Sequence, residues 1–117
     1  MAAPNLLALT NWAGKTAILE GTNTMTDLIA AVATGHEMNV TAVYAGNVHA
    51  SVRGWATLVL KRSGTEHIIA NETPVPVHGT INLLLGRSIN LEEGDSLRVQ
   101  ANASSNVCFF APYDDVN

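Results

Sequence analysis

Histidine is the residue type in this chain that most often carries metal or acid–base chemistry. The four copies are His36, His49, His67 and His78. No two of them have the close spacing of metal ligands, and the pair His36-Glu37 does not extend into a His-Glu-x-x-His zinc motif. Ligands distant in sequence can still converge in a fold. From spacing alone, we predict no metal centre and no cofactor.

Acidic residues are concentrated around one glycine, Gly94, which is flanked by Glu92, Glu93 and Asp95. Carboxylates beside a glycine turn are suitable ligands for Ca²⁺, but the spacing of an EF-hand loop is absent. The pattern favours a solvated turn, and a calcium site is the alternative.

Nucleophilic residues show no catalytic motif. The sequence contains no Gly-x-Ser-x-Gly elbow, no P-loop and no Gly-x-Gly-x-x-Gly fingerprint. Its one cysteine, Cys108, lies in the apolar run Val107–Phe110, which predicts a buried small side chain rather than a catalytic thiol. A single cysteine also excludes an intrachain disulfide. We therefore predict that the chain is not an enzyme.

Charged residues are sparse along this chain. The 117 residues are 47% hydrophobic and 14% charged, with a net charge of −4, whereas soluble domains carry about 25% charged residues. Such a surface indicates a domain that lives in an assembly, and an ordinary soluble domain is the alternative. Of six basic residues only Lys61 and Arg62 are adjacent, which argues against nucleic-acid binding and a polybasic membrane anchor. No segment approaches the ~20 apolar residues of a membrane span.

Short apolar runs separated by turn residues, at intervals of about ten residues, are the main structural signal. This spacing predicts an all-β fold, a single-domain antiparallel β-sandwich of jelly-roll-like type with seven or eight strands over residues 14–117. Candidate strands are Thr16–Leu19, Met38–Ala45, Val52–Arg62, Thr65–Ala70, Thr80–Leu85, Ser88–Leu91, Ser96–Ala103 and Val107–Ala111.

Two segments in the first half carry finer expectations. Residues 25–33 are compatible with a strand or with a short helix begun by a capping box, and we favour a strand over Asp27–Val32. Met38–Ala45 alternates in polarity, which predicts one strand with Val40 and Tyr44 on the same face.

The second half contains two turn signals. Ser63-Gly64 predicts a hairpin between the flanking strands. Pro74 and Pro76 lack backbone donors and therefore mark a sheet edge or a crossover between sheets. Ser88–Asp115 is predicted to be hairpin-like, with a pair of strands around the acidic glycine turn.

The first 13 residues form an uncharged segment that ends at Ala13. It contains the apolar side chains Leu6, Leu7, Leu9 and Trp12. Exposed apolar segments seldom remain free in water. This segment is therefore predicted to be a first strand, a short helix or an arm that docks on a neighbouring subunit, and these four residues are the candidate interaction residues.

Residues 89–103, INLEEGDSLRVQANA, resemble a C-terminal block of small virion proteins of tailed bacteriophages, of the cyanophage and marine-phage type. The segment Tyr113–Asp115 is similar to the end of those proteins, and Gly14–Ala17 and Val40–Asn47 are similar to blocks upstream. One departure is Cys108–Phe110, which is bulkier than the pattern's last strand.

The resemblance implies a non-enzymatic capsid decoration or cement protein. Such a protein would be a homotrimer on the outer surface of the capsid, would bind across junctions of the major capsid protein, and would contact neither nucleic acid nor membrane. A tail, neck or fibre component of the virion is one alternative. A small carbohydrate- or ligand-binding sandwich, with Trp12, Trp55 and Tyr44 as stacking residues, is another.

Overall fold

Ten strands make up the computed structural model of the chain, which describes residues 12–48, 53–103 and 106–117. These ranges contain no helix that could cross a membrane. In chain order the strands are β1 (Trp12–Glu20), β2 (Thr26–Ile29), β3 (Glu37–Val40), β4 (Tyr44–Asn47), β5 (Gly54–Arg62), β6 (Thr65–Val75), β7 (Thr80–Asn82), β8 (Ile89–Leu91), β9 (Ser96–Ala101) and β10 (Val107–Val116). The predicted all-β fold is confirmed, with ten described strands in place of seven or eight.

The strands form two antiparallel sheets that face each other in a single-domain sandwich. In sheet A, β10 lies in the centre, with β1 along one side and β3 and β4 in succession along the other. Outside these, β8 pairs with β3 and β7 pairs with β4. Sheet B has the order β2-β9-β5-β6. β10 therefore connects most of sheet A.

Apolar side chains from both sheets fill the space between them. Among the largest fully buried side chains are Phe109 of β10, Leu58 of β5, Leu91 of β8 and Leu97 of β9. The predicted alternation of β9 is confirmed, since Leu97, Val99 and the following alternate residue are buried while the residues between them are partly exposed. Fully burying one such side chain stabilises the fold by about 1.5–3 kcal/mol.

The predicted hairpin-like arrangement of Ser88–Asp115 is wrong. β8 lies in sheet A, β9 lies in sheet B, and β10 returns to sheet A. The turn at Gly94 (φ 83°) therefore carries the chain from one sheet to the other. The physical reason is the core. Leu91 in sheet A and Leu97 in sheet B are both buried in the same apolar cluster between the sheets.

The predicted single strand Met38–Ala45 is also wrong, because a β-bulge divides it into β3 and β4. Val40 pairs with Tyr113, and Tyr44 pairs with Phe110. Three residues of this segment thus face two residues of β10, and one extra residue reverses the side-chain alternation. Tyr44 is consequently 41% exposed, whereas Val40 is fully buried.

Two further strands are shorter than predicted. The segment Asp27–Val32 is a strand, as favoured over a helix, but this strand, β2, ends at Ile29. The predicted strand Thr80–Leu85 ends at Asn82, whose Oδ1 accepts hydrogen bonds from the backbone N–H of Leu84 (3.0 Å) and of Val43 in the bulge (3.3 Å). This side chain begins a turn and ties it to the bulge.

The hairpin between β5 and β6 is confirmed. Arg62 pairs with Thr65 across Ser63 (φ 53°) and Gly64 (φ 78°), the left-handed conformations of a tight two-residue turn. β6 is an edge strand of sheet B, as Pro74 predicted.

Gly21 lies where the chain crosses from sheet A to sheet B. A Cβ atom at this position would lie 2.6 Å from Cε2 of Phe109 and 2.7 Å from the carbonyl oxygen of Val107. The Gly21 N–H donates to that same oxygen (2.8 Å). Only glycine therefore lets the chain pass this close over the largest buried side chain.

Candidate interaction surface

The predicted interaction residues lie at the start of the chain. Leu6, Leu7 and Leu9 are outside the described residues. Trp12 and Ala13, assigned from sequence to the segment before the sandwich, are paired in β1 with the end of β10. The backbone of Trp12 is thus part of sheet A.

Three adjacent strands of sheet A place large side chains next to one another on the outer face. Ile18 of β1 pairs with Phe110 of β10, and Phe110 pairs with Tyr44 of β4. Directly opposite residues project on the same face, with Cβ atoms about 4.5–5.5 Å apart. The three residues are 66%, 37% and 41% exposed, respectively. We call them the outer apolar row.

Packing inside the sandwich fixes the direction of this row. Phe109 and Ala45 pair with each other and are fully buried. Successive residues of a strand point to opposite faces, so burying this inner pair turns Phe110 and Tyr44 outward. Removing the row from water therefore requires a second molecule or another segment of chain.

A shallow depression of about 320 Å³ lies near the row on sheet A. Its lining includes Gly14, Thr16 and Pro112. A Cβ at Gly14 would meet only Oδ1 of Asp114, at 3.5 Å, so the glycine leaves this space open. The pairing of β1 with β10 places Glu20 and Asp114 toward opposite ends of the same face. An apolar centre with polar margins is the usual composition of a protein interface.

The outer face of sheet B has a different character. Val59 projects on this face, yet it is only 2% exposed. Its neighbour Arg98 donates from Nε to Oδ1 of Asp27 (2.9 Å) and from Nη1 to Oε2 of Glu66 (3.0 Å). The guanidinium therefore joins β2, β9 and β6 over the intervening β5, and its charge is matched within the chain.

An ion pair with one buried partner anchors the turn between β8 and β9. Asp95 is fully buried, and Arg62 donates to its carboxylate from Nε (3.0 Å) and Nη2 (2.6 Å). The backbone N–H of Glu92 donates to the same carboxylate (2.9 Å). Burial alone would raise the pKa of Asp95, but these hydrogen bonds and the guanidinium charge lower it overall. The solvated turn predicted here is wrong for Asp95, which is a structural residue.

The carboxylate of Asp115, near the end of β10, contacts a residue in the first half of β1 and a residue just before β3. Nδ1 of His36 lies 2.8 Å from Oδ1 of Asp115, and Nζ of Lys15 lies 3.4 Å from Oδ2. Nδ2 of Asn117 lies 3.4 Å from the other ring nitrogen of His36. Partial burial acts to raise the pKa of Asp115, but the hydrogen bonds from His36 and Lys15 lower it overall. This cluster is a second structural contact.

The remaining candidate ligands are separate from one another. No group of three His, Cys, Asp or Glu side chains in the described ranges is placed to hold a metal ion. His67 and His78 are exposed, and His49 lies outside those ranges. Cys108 is half-buried rather than buried as predicted, because Phe109 takes the inward position beside it.

The two packed sheets define the chain as a β-sandwich, and the outer face of sheet A carries an exposed apolar row. No protein-family model and no curated protein sequence matches the chain. Among solved structures it is similar to a protein of Bacillus endospore appendages, described as a novel family of disulfide-linked pili. That likeness has a TM-score of 0.54 and 11% identity over 93% of this chain and 88% of that chain. It shows a shared fold.

The chain is also similar to a pentameric capsid protein isolated from metagenomic phage sequences, in two structures. Both comparisons give a TM-score of 0.44 and 18% identity over 84% of this chain. They cover 59% and 60% of that capsid protein, so the matched region is less than two thirds of its length.

Sequence reasoning missed the outer apolar row. The run Val107–Phe110 has no alternation of polarity, so it does not show which phenylalanine faces outward. Tyr44 was predicted on the same face as Val40, because the polarity pattern of this segment does not show the bulge between them. Ile18 lies between Ala17 and Leu19, which pack against the core, but this run is apolar throughout and does not show from sequence which residue faces outward.

Proposed function

We propose that this chain is a non-enzymatic structural protein of a tailed-bacteriophage virion, and specifically a capsid decoration or cement protein. It binds across junctions of the major capsid protein on the outer surface of the head and stabilises the particle. The observation that carries this proposal is the outer apolar row, three exposed side chains held on a rigid sheet. The resemblance of residues 89–103 to phage virion proteins supports the setting.

The size of the row indicates how attachment works. Burying one large apolar side chain contributes about 1.5–3 kcal/mol, and Phe110 and Tyr44 are already partly buried. Association costs about 4–15 kcal/mol in lost freedom of motion. One row therefore binds weakly, and stable attachment needs several contacts made together. A homotrimer with an arm on each subunit supplies them.

The initial segment is the proposed second contact. Leu6, Leu7 and Leu9 precede β1, and β1 pairs on one side only, with β10, in the part of the chain that the structure describes. The unpaired backbone groups of such an edge strand can pair with a strand of a neighbouring chain. Trp12 begins β1 at an edge of sheet A, and the arm precedes it in the chain. We infer that it reaches over a neighbouring subunit.

Particle composition tests the location. Quantitative mass spectrometry of purified virions should find hundreds of copies per particle, since a cement protein repeats with the capsid lattice. About a dozen copies or fewer would contradict the capsid assignment and support a tail, neck or fibre component.

A matched pair of variants tests the surface. Ile18 and Ile68 have similar exposure, 66% and 63%, but lie on sheets A and B, respectively. In reconstitution on particles stripped of the protein, Ile18→Ser should weaken binding by about tenfold, equivalent to ~1.4 kcal/mol. Ile68→Ser should bind as the unmodified protein does. Equal losses in both variants would reject sheet A as the attachment face.

Deletion of residues 1–11 tests the arm, because it removes three candidate leucines and leaves β1 intact. We expect lower occupancy on stripped particles and a shift from trimer toward monomer in analytical ultracentrifugation. Unchanged occupancy would contradict a role of the arm in attachment. A full-length chain that is monomeric in solution would contradict the proposed homotrimer.

A further inference from the structure

A groove of about 580 Å³ lies on the outer face of sheet B, on the opposite side of the sandwich from the outer apolar row. This volume falls within the range of about 300–1,000 Å³ typical of small-molecule sites. Its apolar lining includes Trp55, Val59 and Ile68, and its polar lining includes Asn71, Glu72 and Gln100. We call it the sheet B groove.

Two irregularities in the edge strand β6 shape one wall of the groove. Thr57 of β5 faces both Asn71 and Glu72, and a second extra residue, Ile69, follows between the next pairs. Glu72 has a φ of 46°, a left-handed conformation that is rare for a residue with a side chain. Its N–H donates to Oγ1 of Thr57 (3.0 Å), which holds the bulge in place. Bulges of this kind redirect side chains and are frequent beside functional sites.

Two of the polar side chains of the groove are held in place by contacts within the chain. Gln100 donates from Nε2 to the backbone oxygen of Asn23 (2.7 Å), which orients its amide. Glu66, at one end, is held by Arg98 at 3.0 Å, so its charge is compensated. Glu72 forms no ion pair with any residue that the structure describes and is exposed. The groove thus offers amides and one unpaired carboxylate, and its nearest guanidinium is already engaged.

This combination matches the chemistry of a neutral sugar. A pyranose ring has an apolar C–H face that packs on an aromatic ring, and Trp55 provides a half-buried indole. Its hydroxyls both donate and accept, as do amide side chains, while a carboxylate accepts from two adjacent hydroxyls. An anionic ligand would be repelled by Glu72 and would find no free cation among the lining residues.

We propose that the sheet B groove binds a neutral saccharide, with Trp55 as the stacking platform and Asn71, Glu72 and Gln100 as hydrogen-bonding partners. This function goes beyond attachment to a capsid and does not depend on it. Of the stacking residues expected from sequence, Trp55 lines this groove, whereas Tyr44 belongs to the outer apolar row on the other sheet. A subunit attached through sheet A would present the groove to the surroundings.

The test uses the full chain in isothermal titration calorimetry with neutral hexasaccharides of glucose, mannose, galactose and N-acetylglucosamine. At least one should bind at millimolar or lower concentration. Trp55→Ala should weaken that binding by about tenfold or more, and Asn71→Ala should weaken it several-fold. Ile18→Ser, on the other face, is the matched control and should bind equally well.

Three outcomes would overturn the proposal. These are no binding of any neutral hexasaccharide, binding that Trp55→Ala and Asn71→Ala leave unchanged, or binding of a lysine-rich peptide only, which would assign the groove to cations. If Trp55→Ala fails to fold, Asn71→Ala and Glu72→Gln decide the question. Because binding is measured on the isolated chain, a negative result leaves the capsid proposal intact, and failed capsid attachment leaves this one intact.

Discussion

The outer faces of the two sheets are built by the same strand alternation but differ in what the side chains at their centres contact. On sheet A, Ile18, Phe110 and Tyr44 lie side by side and exposed. On sheet B, Val59 is almost fully buried beside Arg98, whose guanidinium is paired with carboxylates on two other strands. On sheet B the charge of the central guanidinium is satisfied within the chain, whereas on sheet A the three adjacent apolar side chains stay exposed.

This difference separates residues that stabilise the fold from residues whose side chains remain free to bind. Side chains inside the sandwich and in ion pairs stabilise it, so changing them should cost stability. The outer apolar row has no such role, so changing it should cost little stability and, under the proposed function, should weaken attachment. Substitutions at both kinds of residue, taken from the largest expected loss of stability to the smallest, test this division.

Arg62→Leu should give the largest loss, about 3 kcal/mol of unfolding free energy, because it leaves the buried carboxylate of Asp95 without its charged partner. Urea denaturation at pH 7 measures it, with the neighbouring Lys61→Leu as the control. A loss no larger than that of the control would show that the pair is dispensable.

The same pair predicts an acid transition. The pKa of Asp95 is lowered in the folded state, so its stabilisation is present above about pH 4, the ordinary range of the carboxyl group, and is lost as the pH falls further. The unmodified protein should therefore lose stability below that pH more steeply than Asp95→Asn does. Parallel pH profiles would contradict the assignment.

Gly21→Ala should cost about 1–3 kcal/mol, because the added methyl group overlaps the ring of Phe109 and a backbone oxygen. Gly14→Ala is the matched control, since the nearest atom there is at ordinary contact distance. Its stability should be unchanged or slightly higher, since alanine restricts the unfolded chain. Equal effects of the two substitutions in thermal unfolding would contradict the close approach at Gly21.

His36→Ala should cost up to about 1 kcal/mol near pH 5, because its contact with Asp115 is only partly shielded from water. The pKa of Asp115 is lowered in the folded protein, so this contribution is present above about pH 4 and disappears as the pH falls. His67→Ala, at an exposed position, is the control and should have no effect. A His36 effect that persists at pH 2 would rule out the ion pair as its cause.

Ile18→Ser should change stability by no more than about 0.5 kcal/mol, as is usual for exposed positions. Leu19→Ser, at the next position on β1, faces the core and should cost about 1–2 kcal/mol. Chemical denaturation of both variants gives the sharpest comparison of outer and inner faces. If Ile18→Ser were the more costly change, the row would belong to the fold.

The sequence was sufficient for the class of fold because turn residues and alternation are local signals. Ser63-Gly64 and Pro74 identified a hairpin and an edge without any tertiary information. Pairing between distant segments is different. The bulge after Val40 depends on the register against β10, and the turn at Gly94 joins two sheets because both flanking leucines need the same core.

The candidate surfaces were less accessible from sequence for the same reason. The outer apolar row combines residues from three strands that are far apart in the chain, and no local pattern distinguishes Phe110 from Phe109. Trp55 was identified as a stacking candidate by residue type. Its amide and carboxylate neighbours became apparent only with the bulges of β6.

The central position of β10 has a consequence for biosynthesis. Ile18 is translated early, but it gains its neighbour Phe110 only after nearly all the described chain has been made, and such long-range pairing is slow. The outer apolar row is therefore completed late in folding. If the row is the attachment surface, as proposed, nascent and half-folded subunits would be excluded from the particle because they lack the finished row. Incorporation would then itself select for correctly folded copies.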